Sequence, residues 1–274
     1  MPSLTAYRSD LDYAYAPGMF PAMECLLHRP ECARRVLLHS KSAGTEGAQR
    51  LTELAAKLHV RVEEADRALS RISGKENCFA AAVFEKFDDP LSADKPHIVL
   101  HNPSDCGNVG TILRTALGFG VEDVALVRPC VDVFDPRVVR ASMGSMFQLR
   151  IHTYDDFAAY EAEHPQRALF PFMLDGSRSL PDVIAEGVPE RWTLVFGNEG
   201  SGLPKEFAGK VYTRQIKADA APARRWLPCG ATARIGRTAT HSLHCASTAP
   251  PLGELSPKVT EGVLPPRPAR GCTK

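Results

Sequence analysis

The chain has 274 residues, of which 44% are hydrophobic and 24% charged, a composition typical of globular proteins that excludes wholesale disorder. Its 33 Lys and Arg nearly balance its 32 Asp and Glu, so overall charge indicates neither a nucleic-acid-binding nor a membrane-surface protein, and any basic surface must be local. No apolar run approaches the roughly 18–20 residues that span a bilayer. The eight cysteines include no CxxC pair, which favours free thiols in a reducing cytoplasm.

Residues 1–90 are predicted to form a small α/β domain. The apolar residues between Leu51 and Leu58 follow the i, i+3, i+4, i+7 spacing of an amphipathic helix, and short apolar runs on either side are typical of strands. The predicted elements are strands 36–38, 60–62 and 79–84 and helices 46–58 and 65–72. The acidic, proline-containing segment 86–94 predicts a linker after this domain.

Residues 96–216 repeat the alternation of strand and helix on a larger scale. The predicted strands are His97–Leu100, Asp123–Val127, Ala168–Met173 and Thr193–Phe196, and the predicted helices are 110–118, 136–143 and 155–163. Short, mostly apolar strands that alternate with helices predict an α/β fold with a parallel sheet covered on both faces. In such sheets ligands bind at the carboxyl ends of the strands.

The first of two glycine-bearing loops reads NPSDCGNVGTILR, residues 102–114, and connects a predicted strand to a predicted helix. Asn108 and Thr111 can form hydrogen bonds at the helix start, where free N–H groups attract anions. Arg114, about one turn into the helix, can reach a phosphate bound there. The same pattern also fits a capped helix with a surface arginine. A dinucleotide site is disfavoured, because the spacing is not GxGxxG and no P-loop lysine follows.

The second loop reads LVFGNEGSGLP, residues 194–204, and follows another apolar strand. Its closely spaced glycines leave main-chain N–H and C=O groups open to a ligand, and Glu199 is the single acid among them. A flexible loop is the alternative. An Asn-Glu pair at the carboxyl end of a buried strand favours a binding site.

Together these loops resemble motifs 1 and 2 of the SpoU/TrmH family of RNA methyltransferases, in the SPOUT superfamily. NPSDCGNVGTILRTALGFG is similar to motif 1 and LVFGNEGSGLP to motif 2, and the intervening DVFDPRVVRASMGSMFQL is also similar to family members. The segments GMFPAMECLLHRPE and ISGKENCFAAAVFEKF resemble the L30e-like substrate-binding domain of one bacterial branch. The resemblance spans residues 15–216.

The resemblance implies a SPOUT-type α/β fold whose C-terminal end is threaded into a trefoil knot. It implies S-adenosylmethionine as the methyl donor and a ribose 2′-hydroxyl of tRNA or rRNA as the acceptor. It also implies a homodimer with the active site at the subunit interface. The alternative is a non-catalytic RNA-binding protein with a degenerate methyltransferase domain.

The resemblance also assigns roles to individual residues. Arg114 matches the motif 1 arginine, which in the family is proposed to activate the 2′-hydroxyl. Because the pKa of a guanidinium lies above about 12, we expect it to hold the substrate phosphate and to stabilise developing charge. Asn108 is expected to orient the RNA ribose or phosphate, and Glu199 to shape the site. The residues expected to contact the donor are Gly197, through its main chain, and Leu174 and Ile216, which would line the adenosine pocket.

Residues 217–274 depart from the family pattern. They carry nine Lys and Arg against three acids, contain eight of the 22 prolines, and lack the Ser-Leu-Asn sequence of motif 3. We hypothesise that the coding frame shifts near residues 217–225, which resequencing of the coding DNA tests. The alternative is a natural basic tail that contacts RNA phosphates. Because His241, His244 and Cys245 lack a second ligand pair, no metal site is predicted.

Overall fold

The computed structural model describes residues 4–73, 78–173, 182, 185–209 and 216–217. Within these ranges, strands and helices alternate along the chain and build two sheets. The predictions for Leu174 and for residues 218–274 lie outside these ranges. None of the described helices combines the length and the apolar character that crossing a bilayer requires.

The N-terminal part of the chain forms a four-stranded sheet. Its strands are β1 (Tyr13–Pro17), β2 (Ala33–Leu38), β3 (Arg61–Glu64) and β4 (Ala80–Glu85), and its helices are α1 (Met19–His28), α2 (Glu46–Lys57) and α3 (Asp66–Ser73). The strand order is β1-β4-β2-β3, in which β2 and β3 are parallel and the other pairs antiparallel. Helix α2 begins where the Thr45 side chain accepts a hydrogen bond from the Ala48 N–H, and it buries Leu51 and Ala55. The predicted helices and strands of this region are all present.

The second sheet is parallel throughout its described length. Its strands are β5 (His97–His101), β6 (Asp123–Val127), β7 (Arg150–Tyr154), β8 (Ala168–Met173), β9 (Trp192–Phe196) and β10 (Ile216–Lys217), with helices α4 (Cys106–Gly118), α5 (Pro136–Ala141) and α6 (Phe157–Glu163). Each pairing between these strands is parallel. Every residue of β5, β6 and β9 is buried, as expected for a sheet covered on both faces. The predicted α/β fold with a parallel sheet is confirmed.

The strand order of this sheet, β10-β8-β9-β5-β6-β7, reverses direction between β5 and β9. From β5 the chain proceeds to β6 and β7 on one side, whereas β8, β9 and β10 lie on the other. Such a reversal opens a crevice at the carboxyl ends of the two central strands, where α/β folds bind their ligands. The two glycine-bearing loops leave β5 and β9, so both lie at this crevice.

The two sheets share one apolar core. The rings of Phe84 in β4 and Phe147, which follows α5, pack edge to face with their centroids 5.0 Å apart. Arg29, at the end of α1, donates hydrogen bonds to the carbonyl oxygens of Phe147 and Leu149, each at 3.1 Å, and forms an ion pair with Asp89. These contacts fix the N-terminal sheet against the α5 side of the parallel sheet.

Helices α4 and α5 cross at a glycine. A Cβ atom added to Gly110 would lie 2.4 Å from the Cβ of Ala141 and 2.7 Å from the nitrogen of Ser142. The close approach positions α4, the helix that follows the first loop, and a side chain at residue 110 would push the two helices apart.

We therefore expect Gly110→Ala to lower the free energy of unfolding by about 2–3 kcal/mol, which urea titration can measure. Gly118→Ala, in the same helix, is the matched control, because nothing lies within 4 Å of its Cβ position. That control should be neutral or slightly stabilising. Equal stability of the two variants would contradict the close helix crossing.

A buried polar chain closes the amino-terminal edge of the parallel sheet. The Nε2 of His97 lies 2.6 Å from the Ser92 carbonyl oxygen, so Nε2 carries the proton and Nδ1 accepts from the Tyr160 hydroxyl at 2.9 Å. The hydroxyls of Tyr160 and Thr193 are 2.8 Å apart, and Arg167 Nε donates to Thr193 Oγ1 at 2.9 Å. This network of hydrogen bonds requires a neutral His97, and burial lowers the pKa of His97 to about 4.

The low pKa of His97 predicts a pH-dependent stability. Between about pH 6.5 and pH 4 the unfolded chain binds a proton at His97 that the folded chain does not, so stability falls as the pH is lowered through this window. The loss from this group should reach about 3 kcal/mol, measured by urea unfolding at successive pH values. His97→Gln should flatten the slope, whereas His59→Asn, at an exposed position, should leave it unchanged. A wild-type slope in the His97→Gln variant would exclude His97 as its source.

Candidate functional site

The two glycine-bearing loops are bound to each other through one carboxylate. Glu199 Oε2 accepts hydrogen bonds from the Ser104 N–H at 3.0 Å and from the Ser104 hydroxyl at 2.7 Å. Glu199 Oε1 accepts from the Asp105 N–H at 3.2 Å and from Asn108 Nδ2 at 3.3 Å. Both carboxylate oxygens are therefore engaged by donors of the first loop.

These contacts place a negative charge at the start of α4. The helix begins at Cys106, where Asp105 caps it by accepting from the Asn108 N–H at 2.7 Å. Partial burial opposes ionisation of Glu199, but hydrogen bonds from Ser104 and Asn108 outweigh it and hold the pKa of Glu199 below its ordinary value. An ionised carboxylate beside free N–H groups at a helix start is favourable for the same reason that such sites bind anions.

The helix start therefore differs from the sequence prediction. A substrate anion was expected at the helix start, and the structure places the protein's own Glu199 carboxylate just before it, on the N–H groups of Ser104 and Asp105. The predicted helix began at residue 110, whereas α4 begins at Cys106. As a result Thr111 lies inside the helix, where its hydroxyl donates to the Gly107 carbonyl oxygen at 2.8 Å instead of facing a ligand.

Asn198 makes a second connection between the loops. Its Nδ2 donates to the Asn102 carbonyl oxygen at 2.8 Å, and its Oδ1 accepts from the N–H groups of Gly200 and Ser201 at 2.9 and 3.1 Å. Sequence reasoning missed Ser104 as a site residue and noted Asn198 only as part of the Asn-Glu pair, without a role of its own. The signal for Asn198 was its place before two glycines, where an Asn side chain commonly closes a turn on the backbone two residues ahead.

The turn that Asn198 closes also explains Gly197. A Cβ atom at Gly197 would lie 2.3 Å from the carbonyl carbon of Gly202, because the chain folds back and Gly202 N–H donates to the Asn198 carbonyl oxygen at 2.9 Å. Only glycine fits at this position.

Asn102, the residue after β5, is strained and incompletely bonded. Its φ of 54° lies in the left-handed region. Its side-chain Oδ1 is a buried acceptor that finds no hydrogen-bond partner within the described residues. An acceptor without a donor at this edge of the sheet marks a place where a ligand N–H or O–H group can bind.

Arg114 lies farther along α4. Its side chain is exposed, about 12 Å of helix rise beyond Cys106, and it makes no hydrogen bond or ion pair with the described part of the chain. It is thus an exposed cation about two helical turns beyond the start of α4, available to a phosphate.

The region that forms the parallel sheet matches a known protein family. Residues 95–222 match the SpoU rRNA methylase family. The chain carries a SpoU methylase domain. The motifs identified from the sequence lie within the matched range.

Relatives of this SpoU domain are named as rRNA methyltransferases. The chain is 33% identical over 153 residues to a 23S rRNA (adenosine(1067)-2′-O)-methyltransferase of Streptomyces laurentii, which covers 55% of each protein. It is 42% identical over 73 residues to mouse mitochondrial rRNA methyltransferase 3, which covers 23% of this chain and 18% of that protein. The chain thus matches about half or less of the length of these two relatives.

Solved structures share the fold. An AdoMet-bound rRNA methyltransferase from Sinorhizobium meliloti superposes with a TM-score of 0.65 at 20% identity, over 85% of this chain and 87% of that chain. The SpoU methyltransferase AviRb from Streptomyces viridochromogenes, in complex with AdoMet, gives a TM-score of 0.65 at 21% identity, over 85% and 90%. These superpositions confirm the predicted SPOUT-type α/β fold, and the trefoil knot stays a prediction.

Within the SpoU domain, the structure brings together Asn108, Gly197 and Glu199. Arg114 lies apart from them on the same helix as Asn108. Ile216 lies in β10 opposite Phe172, two strand spacings or about 10 Å from β9. Its expected contact with the donor, like that of Leu174, stays a prediction.

No group of three or more His, Cys, Asp or Glu side chains among the described residues is arranged to hold a metal ion. The His241, His244 and Cys245 cluster lies outside those residues.

Removal of the Glu199 carboxylate should separate the two loops. Glu199→Ala removes the acceptor of four first-loop donors, of which those of Asp105 and Asn108 are partly buried. We therefore expect the free energy of unfolding to fall by about 2–3 kcal/mol, as measured by urea titration. Amide hydrogen exchange at Ser104 and Asp105 should accelerate in the same variant. Glu190→Ala, which removes an exposed acid just before β9, is the control. Unchanged exchange at Ser104 would show that Glu199 does not hold the first loop.

Proposed function

We propose that this protein is an S-adenosylmethionine-dependent RNA methyltransferase that modifies a ribose 2′-hydroxyl. The observation that carries the proposal is the union of the two loops by Glu199 at the strand-order reversal of a SpoU domain. The Streptomyces laurentii relative, named as a 2′-O-methyltransferase of 23S rRNA, supports rRNA as the substrate class. The alternative substrate class is tRNA.

The chemistry of the loop edge suits the donor. S-adenosylmethionine supplies an electrophilic methyl group on a positively charged sulfonium. The ionised Glu199 gives this edge a negative charge, and Asn102 Oδ1 is an acceptor without a partner among the described residues. A cationic donor with amino and hydroxyl groups fits such an edge, and we assign the main chain of Gly197 to contact it.

Asn108 and Arg114 act on the RNA. Asn108 is fixed by its hydrogen bonds to Asp105 and Glu199, so its amide is preorganised to orient the ribose. The Arg114 guanidinium grips the phosphate next to the acceptor ribose and stabilises the negative charge that develops on the 2′-oxygen. Glu199 is saturated by donors and its pKa is lowered, so it does not serve as a general base. A guanidinium group is not suited to that role either.

Calorimetric titration with S-adenosylmethionine separates the enzyme from the non-catalytic RNA-binding alternative. That alternative is favoured by the missing Ser-Leu-Asn sequence after residue 217. A folded sample that takes up no donor would favour the RNA-binding protein. Mass spectrometry of rRNA and tRNA from cells with and without the gene identifies the modified nucleotide. If every ribose methylation persists in cells without the gene, the proposal is wrong.

We propose in addition that the protein acts as a homodimer in the cytoplasm. The family resemblance supports the dimer, and the described cysteines support a reducing compartment because all five are free thiols. Light scattering on the purified full chain measures the dimer, and fractionation of cells that express it locates the protein.

Arg114→Ala should lower methyl transfer to RNA by at least about 100-fold, because it removes a charge aimed at the transition state. Donor affinity measured by calorimetry should stay unchanged, because Arg114 is assigned to the RNA. Arg114→Lys should retain part of the activity, since it keeps the charge but not the planar fork. Arg50→Ala, at an exposed position on α2, should retain full activity. Wild-type turnover by Arg114→Ala would remove Arg114 from the mechanism.

A further inference from the structure

A cavity of about 520 Å³ lies where the two sheets meet. This volume falls in the roughly 300–1,000 Å³ range of sites for small organic groups. Its lining residues come from the segment after β4, from the loop after β6 and from β7, and include Lys86, Phe87, Arg128, Cys130, Asp132 and Phe134.

The cavity is a neighbour of the candidate site. Both lie at the carboxyl edge of the parallel sheet, the site at the end of β5 and the cavity at the ends of β6 and β7. Val131, which lines the cavity, donates its N–H to the Pro103 carbonyl oxygen of the first loop at 3.0 Å. The spacing of adjacent strands places the cavity about 5–10 Å from that loop, a step that one unstacked nucleotide can bridge.

The cavity wall carries balanced charge. Lys86 and Arg128 supply two cations and Asp88 and Asp132 two anions. Lys86 Nζ is held by the Ser9 carbonyl oxygen at 2.8 Å and lies 3.4 Å from Asp132. Arg128 also pairs with Asp155, and Asp132 accepts from the Tyr7 hydroxyl and the Phe134 N–H. Because these charges are balanced within the protein, the wall favours neither a bare phosphate nor a metal cation, and a neutral polar ligand suits it better.

Aromatic rings complete the wall. Phe87 and Phe134 line the cavity and pack edge to face, with their centroids 5.2 Å apart. Arg29 lies over the Phe87 ring and Lys86 over the Phe134 ring, so the rings offer mainly their remaining surfaces to a ligand. A flat, neutral heterocycle matches such a wall, since its apolar faces contact aromatic carbon and its rim meets polar groups.

We propose that this cavity takes the base of a nucleotide next to the one whose ribose is methylated. This inference rests on the proposed function and adds a determinant of RNA sequence to it. The neighbouring base, splayed into the cavity, holds the acceptor ribose in register with the first loop.

Cys130 reports directly on occupancy of the cavity. It is a half-buried free thiol in the cavity wall. With an unmodified large-subunit rRNA transcript as the probe, labelling of Cys130 by N-ethylmaleimide should slow by about tenfold, as expected for a base that fills the cavity and stacks against its wall. Peptide mapping follows Cys130 separately from the other cysteines. An RNA of unrelated sequence serves as the control and should leave the labelling rate of Cys130 unchanged.

A substrate variant tests the base itself. Once the methylated nucleotide is mapped, short RNAs lacking the base of the nucleotide on its 5′ or 3′ side can be compared. One of the two should raise KM for RNA by about tenfold with little change in kcat, and should abolish the protection of Cys130.

A pair of protein variants tests the cavity without a modified RNA. Cys130→Phe fills it and should raise KM for RNA, whereas Cys130→Ser leaves it open and should not. Should Cys130→Phe fail to fold, the labelling and abasic experiments decide. The cavity inference would be wrong, and the proposed function intact, if RNA is methylated normally while Cys130 stays unprotected and both abasic RNAs behave like the intact one. Absence of RNA binding and methyl transfer in the wild type would overturn both.

Discussion

The arrangement of the site depends on one ionised carboxylate. Glu199 accepts hydrogen bonds from the backbone of Ser104 and Asp105 and from the side chain of Asn108. These residues of the first loop and of the first turn of α4 are therefore fixed by a residue that lies 91 to 95 positions later in the chain. Hydrogen bonds to a charged acceptor are stronger than neutral ones, and here several converge on one group. The carboxylate also faces the start of α4, where the helix dipole favours it. Glu199 therefore determines where Asn108 and the helix that carries Arg114 lie.

The constraint works only because the fold brings the two loops to one edge. The central strands β5 and β9 are neighbours although 90 residues of chain separate their ends, and the close crossing at Gly110 fixes α4 against α5. The contacts of Arg29 with Phe147 and Leu149 then join the N-terminal sheet to the same side. A rigid frame around the loops is what allows a binding group to be preorganised.

The sequence predicts the apolar part of this structure well and the polar part poorly. Strands Asp123–Val127 and Ala168–Met173 have the predicted ends, because a fully buried strand is an uninterrupted apolar run. Strand β7 (Arg150–Tyr154) was not predicted, because only two of its five residues are buried and its charged and polar members conceal the pattern.

The N-terminal elements β1 and α1 were missed for related reasons. Helix α1 follows Gly18 without a side-chain cap and carries Pro21 in its first turn, so the usual start signals are absent. In the candidate site, the motif residues Asn108, Gly197 and Glu199 could be named from the resemblance to the family motifs. Their mutual contacts could not, because a hydrogen bond across 91 residues depends on the strand order, and no local pattern encodes that order.

The two edges of the parallel sheet respond to acid in the same direction by opposite chemistry. At the amino edge, His97 has to be neutral to accept from Tyr160, so protonation opposes folding as the pH falls below about 6.5. At the carboxyl edge, Glu199 has to be charged to hold Ser104 and Asn108. Its lowered pKa means that its contribution is present above the ordinary glutamate range and is lost as the pH falls below it. As the pH falls, protonation of His97 therefore destabilises the amino edge of the sheet before protonation of Glu199 weakens the contact between the two loops. The candidate site keeps its geometry over a range of pH in which the opposite end of the same strands has already begun to lose stability.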